Sequence, residues 1–564
     1  MTVATKQNAP GETVTGRLIQ VAPSAYTYPL LIKHMLHSSM LHAADQEIVY
    51  RDQKRFTYSA LNERIHRLAG GLASLGVRPG DTVGVMDWDT HRFLEAFFAI
   101  PMMGAILQTV NVRLSHEQII YTIEHAGATT LLVNEEFREL LTAIRPRLTK
   151  VKTIVLMSDN DALATGGSDV VGHYEDMLAA AATHYDFPDF DENTQATTFY
   201  TSGTTGLPKG VYFSHRQMVL HAITELAALG IAPTQGRFHA DSVYMPITPM
   251  FHVHAWGFPY SATMAGVKQV YPGRYIPDLL LKLIKTEGVT FTHCVPTILL
   301  MLLDSPAAAD VDLSGLTMVI GGAALPKALA LRAMARGIDI FTGYGMSETG
   351  PVLTIAHLKT SMLSGVADEE VNFRTKTGRP IPLVDIRVVD PDMKDVVHDG
   401  KAAGEIVVRA PWLTQGYYEN PQASKDLWHG GYLHTNDIAN MTPHGYLQIT
   451  DRLKDVIKTG GEWISSLELE DIIMKAPGIK EVAVIGVKDE KWGERPAALV
   501  VRDYQSTEGP TENSIKAHVG QVADSGIISK YAVPQTILFV DQLDRTSVGK
   551  IDKKALRKRY TEEE

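Results

Sequence analysis

Residues 200–211 read Tyr-Thr-Ser-Gly-Thr-Thr-Gly-Leu-Pro-Lys-Gly-Val and combine the ingredients of an anion-binding loop. Glycines at 203, 206 and 210 let backbone N–H groups close on an anion. The hydroxyls of Thr201, Ser202, Thr204 and Thr205 add donors, Pro208 stiffens the turn, and Lys209 brings a mobile positive charge. That chemistry suits a phosphate, and so a nucleotide. The spacing is not that of the G-x-x-x-x-G-K-[ST] loop: counting from Gly203, its second glycine falls on Pro208, and Gly210 stands where a magnesium-binding hydroxyl belongs. Thr197–Tyr200 and Val211–Phe213 are both β-prone, so the loop is expected to join strand to strand rather than strand to helix.

Other residues add chemistry that is ambiguous when each is taken alone. Glu348, in Tyr344-Gly345-Met346-Ser347-Glu348, could hold a magnesium ion beside phosphates or simply face solvent. Gly321-Gly322-Ala323-Ala324 follows an apolar run. Its small residues would let a flat ring lie on the backbone, with Tyr344 stacking, or would serve tight strand-to-helix packing. Asp437 suits a ribose diol. Arg452, Lys454 and Lys458 cluster in one basic stretch, and Gly460-Gly461-Glu462-Trp463 offers a backbone that a ligand could approach closely. Lys550 follows Gly549 in a short Thr-Ser-containing loop and is by itself an ordinary surface lysine. His252-Val253-His254 invites a zinc reading, since H-x-H on a strand places both rings on one face. No third ligand stands at a sensible spacing, however, and the aromatic company of Phe251, Trp256, Phe258 and Tyr260 points to a pocket wall.

The elements that must position these residues alternate. Thr57 caps a helical pattern carrying Leu61, Ile65, Leu68, Leu72 and Leu75, ended by Gly76. Thr82–Met86 reads as a buried strand, with helices expected from Thr90 and over Ser115–Ala126 and strands near Ile106–Val110 and Thr130–Val133. Ser214 can cap a helix bearing Met218, Val219, Ala222, Ile223 and Leu226. A helix over Ile276–Glu287 and strands at Thr290–Thr292 and Met318–Ile320 continue the pattern. The expected class is α/β, with a large N-terminal domain of doubly wound sheets. From Gly378 to about Thr450 short β-prone segments mark a β-rich subdomain. A compact α+β tail follows, with strands near Val482–Val487 and Ala497–Val501, and the division falls between residues 1–452 and 453–564.

Bulk properties narrow the class. A chain of 564 residues exceeds one ordinary core. Its net charge of -11 disfavours a nucleic-acid binder. The basic run from Lys553 to Arg559 is expected to be a solvated helix face. The single cysteine, Cys294, sits in an apolar run and reads as a buried small hydrophobe, which fits a reducing cytoplasm. The longest apolar stretch, Ala96–Leu107, is broken by Pro101 and Gly104 and is shorter than a membrane span, although peripheral membrane association is compatible with the sequence.

Taken together, Tyr200–Val211, Tyr344–Glu348, Asp437, Asp451–Lys454 and Lys550 occur in the order and approximate spacing of the acyl-adenylate-forming superfamily. The resemblance covers nearly the whole chain from about residue 30. Within the superfamily the chain is most similar to bacterial and archaeal medium- and long-chain fatty-acyl-CoA synthetases, on Pro249–Trp256 and on Asp451–Ser465. The resemblance implies a small mobile C-terminal domain that rotates between two half-reactions, with ATP and CoA as co-substrates and Mg²⁺ as cofactor. Thr201, Ser202, Gly203, Thr204, Thr205, Gly206 and Lys209 would hold ATP phosphates, and Thr204 and Glu348 would bind Mg²⁺. Gly322, Ala323, Thr342, Gly343, Tyr344 and Ser347 would contact the adenylate, Asp437 the ribose, and Arg452, Lys454 and Lys458 the nucleotide at the hinge. Lys550 would be the catalytic lysine of adenylation, with Glu348 and Thr204 its catalytic company. His252, Val253 and Trp256 would line the acyl site, with Trp256 as its gate, and Gly460, Gly461 and Glu462 the CoA path. Partners would be small molecules and a second copy of the chain in a homodimer, with no nucleic acid and no integral membrane segment.

Three positions depart from the family pattern. Asn436 replaces glycine before Asp437, Asp544 replaces proline before Arg545, and Ser347 stands where threonine is commoner. Asparagine tolerates left-handed backbone angles, so the turn at Asn436 can survive. The expected activity is an AMP-forming fatty-acyl-CoA ligase. Alternatives are an adenylating ligase for an aryl or short-branched acid, one that uses a carrier-protein acceptor, and a non-catalytic acyl or nucleotide sensor.

Overall fold

The computed structural model describes residues 16–17, 19–159, 170–201, 207–232, 235–459, 462–489, 491–503, 509–525, 527–545 and 551–561. Two large sheets dominate the N-terminal part. In the first, parallel strands run in the order Val170–His173, Thr153–Met157, Ala128–Asn134, Thr82–Met86, Ile106–Thr109 and Gln195–Tyr200. The strand Gly210–Ser214 closes that edge antiparallel. The second runs from the hairpin Glu47–Tyr50 and Lys54–Thr57 through parallel Lys268–Tyr271, Val243–Pro246, Phe291–Cys294, Thr317–Ile320 and Asp339–Gly345, ending on antiparallel Val352–Ile355 and Arg379–Pro380. Every residue of the helix His91–Met102 is buried, and the core cluster around it draws on both sheets. Its charged residues are buried in pairs, Arg92 with Asp159 and Glu175 and Glu95 with Arg64, while Phe93, Phe97 and Phe98 join the core.

Local signals account for the helix starts. Thr57 caps Tyr58–Ser74, Thr90 caps His91–Met102, and Ser115 and Ser214 form capping boxes with Gln118 and Gln217. Leu61, Ile65, Leu68 and Leu72 are buried as the pattern requires. Ile223, expected to share the apolar face of its helix, is exposed. Cys294 is fully buried, and burial raises its thiol pKa far above the ordinary value.

The β-rich part is an antiparallel sheet of Asp385–Val389, Ala403–Arg409, Tyr432–Met441, Trp428–His429 and Leu447–Arg452. A C-terminal α+β domain follows, in which the hairpin of Ile479–Asp489 and Gly493–Arg502 joins Ile457–Thr459, Glu462–Ile464 and Thr536–Phe539. One expectation holds only in part: Lys554, Lys558 and Arg559 of the basic run are exposed, but Lys553 is not. Lys553, placed by sequence on a solvated face, is buried and pairs with Glu470 at 2.6 Å and with the Ser466 hydroxyl at 2.6 Å. The same helix also pairs Arg557 with Asp455 and Arg559 with Asp544. It is therefore bound into the domain by its charges, because a lysine at a helix start can turn inward where a buried carboxylate meets it.

Candidate functional site

The glycine-rich loop does join antiparallel strands, with Tyr200 opposite Gly210. Its base is closed by the Thr201 N–H donating to the Lys209 carbonyl at 3.0 Å. Ser202, Gly203, Thr204, Thr205 and Gly206 lie outside the described residues, as do Gly460, Gly461 and Lys550. The flanks of Lys550 can be followed: Arg545 and Ile551 form an antiparallel bridge, and the Asp552 N–H donates to the Asp544 carbonyl at 2.8 Å.

Glu348 sits in a short 3-10 turn, Ser347–Thr349, beyond the strand Asp339–Gly345, and is buried. The Tyr417 hydroxyl donates to its Oε1 at 2.6 Å. Burial pushes the carboxyl pKa above its ordinary value, against the opposing pull of that hydrogen bond and of the Arg452 and Lys209 charges. The Lys209 ammonium stands 4.5 Å from the centroid of the same Tyr417 ring. Tyr417 was not foreseen. Its only sequence signal is the run Gly416-Tyr417-Tyr418-Glu419-Asn420-Pro421, an aromatic pair framed by glycine and proline.

A second corner forms around Asp437. Its Oδ2 accepts from the Tyr344 hydroxyl at 2.6 Å and its Oδ1 pairs with Arg452 Nε at 2.6 Å. Asn436, before it, takes φ +58, the left-handed angle anticipated for a residue standing in for glycine. Gly322 is at φ +75, and both it and Ala323 are exposed on the rim. The Thr342 hydroxyl is committed to the Lys376 carbonyl, and Gly343 lets Val319 pack close. Lys209, Tyr344, Glu348, Asp437 and Arg452 are thus brought together. Lys454 has Asp455, Arg452, Arg557 and Asp552 as charged neighbours. The Lys458 N–H donates to Glu494 at 2.9 Å within the C-terminal sheet, and Glu462 opens the strand paired to it.

The segment after Pro249 lacks the strand that the zinc alternative required. His252-Val253-His254 is not a strand. Val253, His254, Ala255 and Trp256 all have φ between +49 and +61, a left-handed turn that Gly257 ends at φ +85. Val253, Ala255 and Trp256 do not favour that backbone, and the surroundings impose it. The Met250 N–H donates to Asp89 at 2.8 Å, the Thr109 hydroxyl to the Phe251 carbonyl at 2.9 Å, and His254 Nε2 lies 2.8 Å from the Thr197 hydroxyl. The His254 ring also packs edge-on to Phe97 and Phe199, so the residue is a core histidine. Among the described residues no group of His, Cys, Asp and Glu could cage a metal. Trp256 lies over Gly321, where a Cβ would come within 2.9 Å of its ring, and packs on His293, which Tyr244 and Thr248 hold by hydrogen bonds. Burial takes His221, His254 and His293 down to about 3, so all are neutral at physiological pH.

This chain belongs to the AMP-binding enzyme family, whose profile matches residues 37–418, and the AMP-binding enzyme C-terminal domain matches residues 468–550. A long-chain-fatty-acid–CoA ligase of Thermus thermophilus is 41% identical over 90% of each chain. A 3-methylmercaptopropionyl-CoA ligase of Ruegeria lacuscaerulensis is 37% identical, covering 95% of this chain and 98% of its own. Among solved structures, a Mycobacterium tuberculosis fatty acyl CoA synthetase superposes with a TM-score of 0.70 at 27% identity, covering 94% of this chain and 98% of its own.

Proposed function

We propose that the chain is an ATP-dependent, AMP-forming acyl-CoA ligase that activates a medium- or long-chain fatty acid as its acyl-adenylate and transfers the acyl group to CoA. The observation that carries this reading is the pairing of two unlike surfaces. One is a charged corner holding Lys209, Glu348, Asp437 and Arg452. The other is a neutral aromatic wall led by Trp256. A carboxylate is a poor electrophile, and adenylation requires its head group to meet the α-phosphate while its tail stays dry.

Residue roles follow from chemistry. Lys209 and the 201–206 loop bind the departing pyrophosphate. Tyr344, with Gly322, Ala323, Thr342, Gly343 and Ser347, frames the adenylate. Asp437 accepts from the ribose hydroxyls, with Arg452 holding its carboxylate in place. Lys454 and Lys458 approach from the domain junction, taken at 452/453, where the chain passes from the β-rich sheet into the C-terminal one. His252, Val253 and Trp256 wall the acyl site, and Gly460, Gly461 and Glu462 line the CoA path. With Asp437 taken by Arg452 and Tyr344, Glu348 is left as one buried carboxylate, which fits a Mg²⁺ carried in on phosphates better than one caged by protein, and Thr204 would complete that site. When bound, the ion would neutralise charge building on the phosphate oxygens. Lys550 serves adenylation and withdraws for thioester formation, which is the use of a mobile domain.

The homodimer and a cytoplasmic location remain part of the proposal. Ile19, Val21, Tyr26 and Tyr28 are exposed in the N-terminal lead, an apolar surface that suits self-association. No helix among the described residues is long and apolar enough to cross a membrane.

The test is acid-dependent pyrophosphate release across a panel of fatty, aryl and short-branched acids, followed by acyl transfer to free CoA. Turnover confined to fatty acids and completed by free CoA is the expected result. A preference for aryl or short acids, or transfer only to a carrier protein, would select an alternative, and no release with any acid would select a sensor. In the same assay, Lys550→Ala should lose adenylation far more than thioester formation from supplied acyl-AMP. Equal loss in both steps would refute a lysine used in one step only.

A further inference from the structure

The segment 413–418 crosses between the two candidate phosphate elements and is bonded to both. On one side Val211 and Tyr417 form an antiparallel bridge, the Tyr418 N–H donates to the Gly210 carbonyl at 2.8 Å, and the Thr414 hydroxyl donates to the Tyr212 carbonyl at 3.0 Å. The segment therefore extends the sheet edge at the exit of the glycine-rich loop. On the other side the Thr414 N–H donates to the Glu348 carbonyl at 3.1 Å. Gly416 is needed for this approach, since a Cβ there would come within 2.5 Å of the Ser424 hydroxyl, the group that accepts from the Tyr417 N–H at 2.8 Å. The strap thus delivers one side chain, Tyr417, with its backbone fixed at several points.

The two ends of Tyr417 meet opposite charges. Its hydroxyl donates to Glu348 Oε1, while its ring face receives the Lys209 ammonium. Among the described residues no ion pair joins Lys209 to Glu348, and none of the described side chains bonds Glu348 Oε2. A lysine and a buried glutamate this close to one ring would otherwise gain by pairing, and the pair would have to be broken before a phosphate and its cation could enter.

We propose that Tyr417 is a positioning residue. It acts as a spacer that keeps Lys209 and Glu348 apart and presents Glu348 Oε2 to the cation that accompanies ATP. It touches neither substrate nor reacting atoms. This inference rests on the ligase reading above, and it goes beyond it by separating two contributions of one side chain. The hydroxyl orients Glu348, so it serves the cation. The ring holds Lys209, so it serves the phosphates whether or not a cation is present.

The test uses the full chain with Tyr417→Phe and Tyr417→Leu. ATP affinity is measured by calorimetry with excess Mg²⁺ and again in EDTA, alongside KM and kcat for pyrophosphate release. Tyr417→Phe should keep wild-type affinity in EDTA yet lose most of the gain that Mg²⁺ confers, roughly tenfold, with a matching rise in the Mg²⁺ concentration for half-maximal rate. Tyr417→Leu should lose affinity in EDTA as well, and its ligand-free crystal structure should show Lys209 paired with Glu348. Unchanged Mg²⁺ dependence in Tyr417→Phe, or equal losses with and without Mg²⁺, would overturn the spacer role, since a general packing defect lowers both alike. The wild-type titration keeps the two claims distinguishable. A wild type that binds Mg·ATP and releases pyrophosphate while both variants match it sinks the inference alone, and a wild type that does neither sinks the ligase reading and the inference with it.

Discussion

The proposed nucleotide side and the proposed acyl side of the site treat their charged groups in opposite ways. Around Tyr417 and Asp437, ionisable groups are held in fixed relation to partners: Arg452 on Asp437, Lys209 over an aromatic ring, and Glu348, its pKa also raised by burial, on a phenol. Around the 253–256 turn, burial removes charge. His221, His254 and His293 are held neutral, Asp89 is pushed up to about 8, and Glu225, bonded to Ser261 at 2.6 Å, is raised well above its ordinary value. The difference shows that polarity and charge are separate design variables. An apolar chain can be walled by imidazoles and carboxyls provided these are dry enough to stay neutral, whereas phosphates need charged groups held in place beside them.

That contrast can be broken, most forcefully at Glu348. Glu348→Gln should lower acid-dependent pyrophosphate release on the order of a hundredfold while KM for the fatty acid stays near wild type. A rise in fatty-acid KM as large as the fall in rate would mean that the two sides are one unit. Gly321→Ala probes the acyl side, since its methyl would come within 2.9 Å of both the Trp256 ring and the Gly343 carbonyl. A fatty-acid KM increased about tenfold with ATP affinity retained is the expected outcome of kinetics paired with calorimetry. Thr197→Val removes the hydroxyl that meets His254 Nε2 and donates to the Leu107 carbonyl, and should cost roughly 1–2 kcal/mol in denaturant unfolding.

The smallest effect concerns pH. The folded pKa of Asp89 lies above its unfolded value near 4, so the native state holds a proton that the unfolded chain has released. Stability is therefore lost as pH rises through this window and levels off above about 8. Asp89→Asn should flatten that decline by on the order of 1 kcal/mol between about pH 7 and 8, read from urea midpoints at several pH values. A slope identical to wild type would show that Asp89 is ionised in the native protein and that the acyl side is not free of charge.

Much of this architecture is legible one residue at a time because its causes are local. Thr57, Thr90, Ser115 and Ser214 announce helix starts through their own side chains, and the alternation around Thr82–Met86 needs no partner to be read. The loop at Tyr200–Val211 was recognisable, as was its strand-to-strand setting. What escaped depends on distant partners. Tyr417 lies 69 positions from Glu348 and gains its meaning only when the strap docks. Lys553 turns inward because Glu470 waits for it. The 253–256 turn opposes local preference outright, since β-branched Val253 avoids positive φ, and only its surroundings reverse the choice.

That turn has a further consequence, for chirality. At Ala255 the backbone angles are φ +49 and ψ +46, close to the mirror image of an ordinary right-handed helix. An L-residue is disfavoured there by roughly 1–2 kcal/mol, and its enantiomer would be at rest. At position 255 a D-residue would fit the backbone better than an L-residue, and a semisynthetic protein carrying D-alanine there would relax strain that translation can relieve only with glycine or, in part, asparagine.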